Sequence, residues 1–195
     1  MSALADERLP ELLDRAVAAT TDVIRRVRPD RYADPTPCRD LDVRALLNHL
    51  IGGQRFFAAS AAGETGDPAA FAADHLAADT TPADLYADGG RAALAAFAGP
   101  GALSRAAKLP DGSDGPPLAD IYLLEQVVHG WDVAAAIGAD RGGDPAAVAA
   151  VHDGWYGKVP QHVRDLGTVF GPEQPCPPDA APADRLAAYL GRRIP

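Results

Sequence analysis

Four stretches of this chain repeat apolar residues every three or four positions, and almost nothing in it alternates with the two-residue period of a strand. That periodicity restricts the fold to packed helices. Residues 7 to 28 set Leu9, Leu12, Leu13, Ala16, Thr20, Val23, Ile24 and Val27 along one helical face that ends before Pro29. Asp40 stands where an N-cap belongs, ahead of Leu41, Val43, Leu46, Leu47, Leu50 and Ile51, which predicts a second helix over about 41 to 60. A Gly-, Asp- and Pro-rich loop follows, with a short helix expected around 68 to 77, and Thr81-Pro82 opens a third helix through Phe97. Gly99-Pro100-Gly101 stops that helix. Residues 102 to 117 hold Leu103, Leu109 and the turn run from Asp111 to Pro117, so they read as an extended or hairpin-like crossover. The fourth helix begins near Leu118 and ends near Gly138. Pro145 opens another to about 158, and the proline-rich segment 172 to 182 leads into a short helix, Ala183 to Leu190. The predicted fold class is all-α: a four-helix bundle with a long crossover and short additional C-terminal helices, forming a single domain over residues 1–195.

Composition narrows the function classes. Eighteen Lys and Arg against 27 Asp and Glu leave a formal net charge of -9, which repels a phosphate backbone, so nucleic acid is not an expected partner. No apolar run approaches the roughly 20 residues that span a bilayer, and Met1 to Pro10 has neither a basic start nor an apolar stretch. The expectation is a cytoplasmic protein with no membrane association, monomeric or homodimeric. Cys38 and Cys176 are the only cysteines and neither belongs to a CxxC, so any metal must be held by imidazole and carboxylate.

Such a set exists. On the fourth helix, at about 100° per residue, Leu118, Ile121, Tyr122, Val128 and Ala136 fall on one side, with Glu125 and His129 in the middle of that side. An ionised carboxylate on an apolar face costs several kcal/mol unless it is paired or coordinates a cation. Glu-x-x-x-His puts both side chains one turn apart on one face, close enough to grip one ion. In the second helix, His49 lies at the edge of the stripe formed by Val43, Leu46 and Leu50, followed by Gly52 and Gly53. Two helical glycines cost on the order of 1 kcal/mol each relative to alanine, a cost usually offset by close backbone approach or open space. The expectation is space beside His49 through which a substrate reaches a metal held by His49, Glu125 and His129.

Other residues have competing readings. Asp132, three residues after His129, is placed either to hold the second imidazole nitrogen or to take a plain surface or ion-pair role. Trp131 points away from the metal side and reads as packing. Cys38, just before the second helix, is either a thiol acidified by a helix N-terminus or a buried structural cysteine, the second being preferred. Tyr122 and Phe56 are pocket walls or core. His75, His152 and His162 lack a spaced partner and read as surface or loop residues, and Cys176 carries no visible chemistry.

Three segments, Pro35 to Gly52, Glu125 to Val133 and Ala183 to Arg192, resemble an actinobacterial family of the DinB-like superfamily, related to the N-terminal domain of mycothiol-dependent maleylpyruvate isomerase. The resemblance covers nearly the whole chain. It implies a four-helix bundle and a metal triad of one His on the second helix plus a Glu and a His four residues apart on the fourth, matching His49, Glu125 and His129. Two departures stand out: Leu41 occupies a position where the family often has Trp, and 195 residues leave no evident room for the isomerase's separate C-terminal domain.

Two His and one Glu leave an open position on a four- or five-coordinate ion, the arrangement of a catalytic rather than a structural site. Zinc leads as the ion, with nickel, iron and manganese compatible with the same ligands. The resemblance implies that the open position takes a small thiol, mycothiol, which attacks an electrophilic substrate as a thiol-dependent transferase or isomerase. The rival reading is a metal- or ligand-binding bundle without thiol-dependent turnover, or a metalloenzyme of unrelated chemistry. A basic pocket beside the metal would separate the two, and Arg44, Arg55 and Arg91 are the side chains whose placement bears on it.

Overall fold

The computed structural model describes residues 8–77, 80–108, 112–165 and 169–194. Met1 to Glu7, Leu109, Asp111 and the side chain of His162, on which some expectations fell, lie outside the described residues. The helices are α1 (Leu9–Ile24), α2 (Val43–Ala62), α3 (Pro82–Phe97), α4 (Leu118–Ile137), α5 (Pro145–Trp155), α6 (Gln161–Asp165) and α7 (Pro182–Tyr189). Between α3 and α4 the crossover forms an antiparallel hairpin of β1 (Ala106–Lys108) and β2 (Asp114–Pro117). Helix α1 packs on α3 and α4, and α2 packs on the same two. This places α1 diagonally across from α2 and α3 diagonally across from α4. The all-α, DinB-like four-helix bundle is therefore the observed architecture.

Helix boundaries follow local chemistry. Helix α1 stops short of the expected residue 28 because the Arg26 and Val27 amides bond to carbonyls three residues back, tightening the chain before Pro29. The N-cap of α2 is Asp42, not Asp40: the Asp42 carboxylate accepts from the Ala45 amide at 2.8 Å, whereas Asp40 sits in a left-handed turn at φ 67°. Asp144 caps α5 in the same way, accepting from the Ala146 and Ala147 amides. Glycines with left-handed φ, Gly63 and Gly138, end α2 and α4.

One expectation about α4 is corrected. Its burial is not confined to one face: Leu118, Ala119, Tyr122, Leu123, Leu124, Val128, Trp131, Val133 and Ala134 are all buried. The bundle covers one side and the C-terminal helices cover the other, with Trp131 packed among Val148, Ala183 and Ala187. Trp131 thus packs as expected, and its indole N–H also donates to Asp184 at 2.7 Å, a carboxylate that accepts from Arg141 as well. A helix enclosed on both sides loses the amphipathic contrast that the wheel relies on. Ile121 and Glu125, one turn apart, remain half-exposed and mark the open seam between α4 and α2.

The double glycine of α2 is also corrected. No open space lies there. A Cβ on Gly52 would stand 1.8 Å from the Ala70 carbonyl oxygen and 2.9 Å from His75 Nε2, and one on Gly53 would stand 3.0 Å from the Phe71 ring. The glycines let the 64–77 segment, with its 3-10 turn Pro68–Ala72, lie directly on α2. Asp74 ties that segment down by accepting from Arg44 and Asn48, while the Asn48 side-chain oxygen accepts from the His75 amide at 2.8 Å. Gly52→Ala is expected to destabilise the protein by about 1–3 kcal/mol in urea denaturation and to speed amide exchange across 68–76. Gly53→Ala should cost less, because a ring edge can rotate aside and a backbone carbonyl cannot. An unchanged unfolding midpoint for Gly52→Ala would show that the segment is not seated on α2.

Candidate metal centre

Helices α2 and α4 pack together so that His49 meets Glu125 across the seam, with His129 one turn along α4. His49 Nε2 and His129 Nε2 each lie 3.3 Å from the same oxygen, Glu125 Oε2. The three ligand atoms all fall within 4.8 Å of one another. The two imidazoles meet edge to face, ring centres 4.9 Å apart at 74°. Ligands at about 2.0–2.1 Å from a tetrahedral ion are separated by about 3.3 Å, the separation of Glu125 Oε2 from each imidazole nitrogen here. Exposure grades across the cluster: the side chains of His49 and Glu125 keep 26% and 22% of their surface, against 9% for His129. Access is therefore from the His49 and Glu125 edge.

Behind His129 the polar contacts continue. His129 Nδ1 is 3.0 Å from Asp132 Oδ2, and the buried Arg192 guanidinium donates to both Asp132 oxygens at 3.3 and 3.1 Å. Asp132 is fully buried, so both of its alternative roles are realised at once, with the ion pair in the interior rather than on the surface. With Nδ1 held by Asp132, His129 turns its Nε2 toward Glu125. Burial alone would raise the Glu125 pKa, but the His129 charge and hydrogen bonds from both imidazoles outweigh it and hold the carboxyl below its usual range. Burial alone would lower that of His129, and the Glu125 charge with the Asp132 hydrogen bond raises it instead. For Asp132, the Arg192 charge overcomes desolvation and keeps the carboxyl low.

A second donor set, Cys38, His129 and Asp132, also falls within 4.8 Å. It is the poorer cation site, because Arg192 already occupies both Asp132 oxygens. Cys38 is half-buried in the loop ahead of α2, packed against the core and hydrogen-bonded to His129. Phe71, carried by the 64–77 segment, sets its ring 4.9 Å from that of His49 and 5.1 Å from that of Phe56. Phe56 is thus half-exposed near the seam, whereas Tyr122 is entirely core. His75 lies in a loop as expected, bonded through Nε2 to the Ala70 carbonyl and through Nδ1 to Arg55. His152 stacks on Tyr156, away from the ligand cluster. Of the three arginines singled out above, Arg44 is engaged by Asp74, Arg55 by His75 Nδ1 and Arg91 by Asp88. The buried cation beside the ligand cluster is Arg192.

Residues 13–134 match the family described as the mycothiol maleylpyruvate isomerase N-terminal domain. The chain belongs to this family. His49, Glu125, His129 and Asp132 all lie inside the matched span, and Arg192 lies beyond it. Among the relatives of this chain are two from Mycobacterium tuberculosis, strains CDC 1551 and H37Rv. Each is 32% identical over 184 residues, covering 92% of this chain and 95% of its own, and each is named only as uncharacterised. No solved structure matches. No helix among the described residues is long and apolar enough to cross a membrane.

Sequence reasoning missed Arg192, Phe71 and the buried amides Gln54 and Gln126. The amides carried a signal, being polar positions within apolar helical runs, while Arg192 and Phe71 reach the cluster only through tertiary packing. Asp132→Ala leaves the Arg192 charge buried and unpaired, and is expected to cost about 3–5 kcal/mol. The double replacement Asp132→Leu with Arg192→Leu should recover much of that loss. Urea unfolding of the three proteins checks this, and a double variant no more stable than Asp132→Ala would count against the pairing.

Proposed function

We propose that His49, Glu125 and His129 hold one divalent metal ion, zinc in the first instance, and that the chain acts as a metal-dependent thiol S-transferase or isomerase on an electrophilic small molecule. The observation that carries this reading is the shared contact of two imidazole nitrogens with one Glu125 oxygen at 3.3 Å, at a partly open seam. Two neutral imidazoles and a carboxylate form a donor set suited to zinc, nickel, iron or manganese. The pairing of a carboxylate with an imidazolium in this cluster is what a bound cation would replace, charge for charge.

Each residue has a task. His49 and Glu125 ligate from the exposed edge and His129 from the buried side. Asp132 accepts the His129 Nδ1 proton and fixes the ring's orientation, and Arg192 balances the Asp132 charge. Phe71 and Phe56 shield one flank of His49 from water. A metal ion bound there would keep a coordinated thiol deprotonated at neutral pH, and hence nucleophilic. Membership of the mycothiol maleylpyruvate isomerase N-terminal domain family supports mycothiol as that thiol. The product is a conjugate, or an isomer where the thiol leaves again. Residues 1–195 act as one unit in this reading, since Arg192 completes the charge balance of residues in α4.

His49→Ala, Glu125→Ala and His129→Ala should each lose most bound zinc while keeping a helical circular dichroism spectrum. Cys38→Ser should retain it, because the protein's own thiol is not a ligand. Full zinc occupancy in Glu125→Ala and His129→Ala would sink the triad. Mycothiol should raise the melting temperature of the zinc-loaded protein and not of the metal-free form, since a ligand stabilises only the state that binds it. No shift at saturating mycothiol, with no conjugation of electrophilic test substrates, would favour a metal protein without thiol-dependent turnover.

A further inference from the structure

Five polar side chains meet in the middle of the bundle, where an apolar core would normally run. Gln54 on α2, Tyr86 on α3, and Tyr122 and Gln126 on α4 expose at most 2% of their surface, and Thr20 on α1 exposes 3%. Gln54 Nε2 donates to Gln126 Oε1 at 2.9 Å, and the Tyr86 hydroxyl donates to that same oxygen. The Tyr122 hydroxyl donates to Gln54 Oε1, Gln126 Nε2 donates to the Tyr122 carbonyl at 3.2 Å, and the Thr20 hydroxyl donates to the Gln126 carbonyl at 2.9 Å. All four bundle helices are joined. Burial pushes both phenols above their ordinary pKa, so both stay protonated donors at any physiological pH.

Buried polar groups cost free energy even when bonded, and replacing a satisfied set with apolar residues of similar volume is often neutral or stabilising. The best-attested return for that cost is register. Apolar side chains tolerate sliding, whereas an acceptor with two lone pairs filled by two particular donors does not. Here the clamp sits next to the ligand crossing. Gln126 follows Glu125 directly, and Gln54 lies five residues after His49 on the antiparallel partner helix. Slippage of α2 along α4 by one turn, ~5.4 Å, would carry His49 away from Glu125 altogether. A fraction of that displacement spoils a three-ligand set whose atoms lie within 4.8 Å. On the α3 side, Gly89 allows close approach: a Cβ there would stand 2.7 Å from the Gln54 Cβ.

We infer that Gln54, Tyr86, Tyr122 and Gln126 are positioning residues for the ligand triad, fixing the register of α2 against α4 so that His49 faces Glu125 and His129. This role rests on the reading of the triad as a metal site, yet it concerns the metal-free protein too. The test is a volume-matched apolar variant, Gln54→Met, Tyr86→Phe, Tyr122→Phe and Gln126→Met together. It should keep its helical content and a melting temperature at or above that of the parent. Its zinc affinity, measured by chelator competition, should fall by roughly 10–100-fold, the range seen when outer-shell support of a metal ligand is lost. The cobalt-substituted absorption bands should weaken and broaden. In the metal-free protein, the nuclear Overhauser contact between the His49 and His129 rings should be lost or reduced.

A folded variant with parental zinc affinity, parental cobalt spectrum and an intact contact between the rings overturns the inference. Should the fourfold variant fail to fold, Tyr86→Phe and Tyr122→Phe taken singly decide it. A drop in zinc affinity at unchanged helicity supports the clamp, and no drop with the ring contact intact removes it. If the parent itself binds neither zinc nor cobalt, the metal reading falls, and the ring contact in the metal-free proteins still decides the register.

Discussion

A carboxylate drawn into a helical bundle has to be compensated, and Glu125 is one that this protein places where α2 meets α4. Its desolvation is offset by two imidazoles that reach the same oxygen from different helices, so one side chain ties α2 to α4. Much of the surrounding structure serves to keep that juxtaposition. His129 is held from behind by Asp132, Asp132 is neutralised by Arg192, and Arg192 is delivered by the chain just past α7. On the other flank, Gly52 and Gly53 admit the 64–77 segment, which lays Phe71 against the His49 ring. Charge compensation is thus relayed inward through α4, while shielding arrives from the surface segment.

The bundle is legible in the sequence because its information is local. Periodic Leu, Val and Ile, proline at helix starts and glycine at helix ends fix α2, α3 and α4 to within a few residues, and Glu125 and His129 share a face whatever the tertiary structure. Asp40 mimics the true cap, Asp42, because both are aspartates with a plausible offset, and only the backbone angle at Asp40 separates them. The double glycine is legible as a close approach or a space, and sequence has no means of saying which, since the approaching carbonyl belongs to Ala70. The part of α4 that faces α5 and α7 misleads the wheel for the same reason: a second covering layer erases polarity contrast without leaving a local mark. Asp132 is legible as an imidazole partner at the next turn, whereas Arg192, sixty residues further along the chain, is not.

Two kinds of polar burial coexist within one turn of each other, and they differ in what they demand. The Glu125, His49 and His129 cluster is charged and partly exposed, with its three side chains meeting at one carboxylate oxygen. The Gln54, Tyr86, Tyr122 and Gln126 cluster is neutral, dry and internally bonded, which leaves it closed to ligands. The neutral, dry cluster thus stands beside the charged one, and exposure is confined to the seam.

The family match ends at residue 134, yet Asp132 inside that span depends on Arg192 well outside it. Asp132 is fully buried, and without a cation at that distance its charge would fall on His129 alone. An imidazole whose Nδ1 proton is pulled by an unbalanced carboxylate is a different donor from one whose carboxylate is shared with a guanidinium, because the sharing weakens the pull. The C-terminal segment therefore sets the charge at the buried edge of the cluster even though it contributes none of His49, Glu125 and His129.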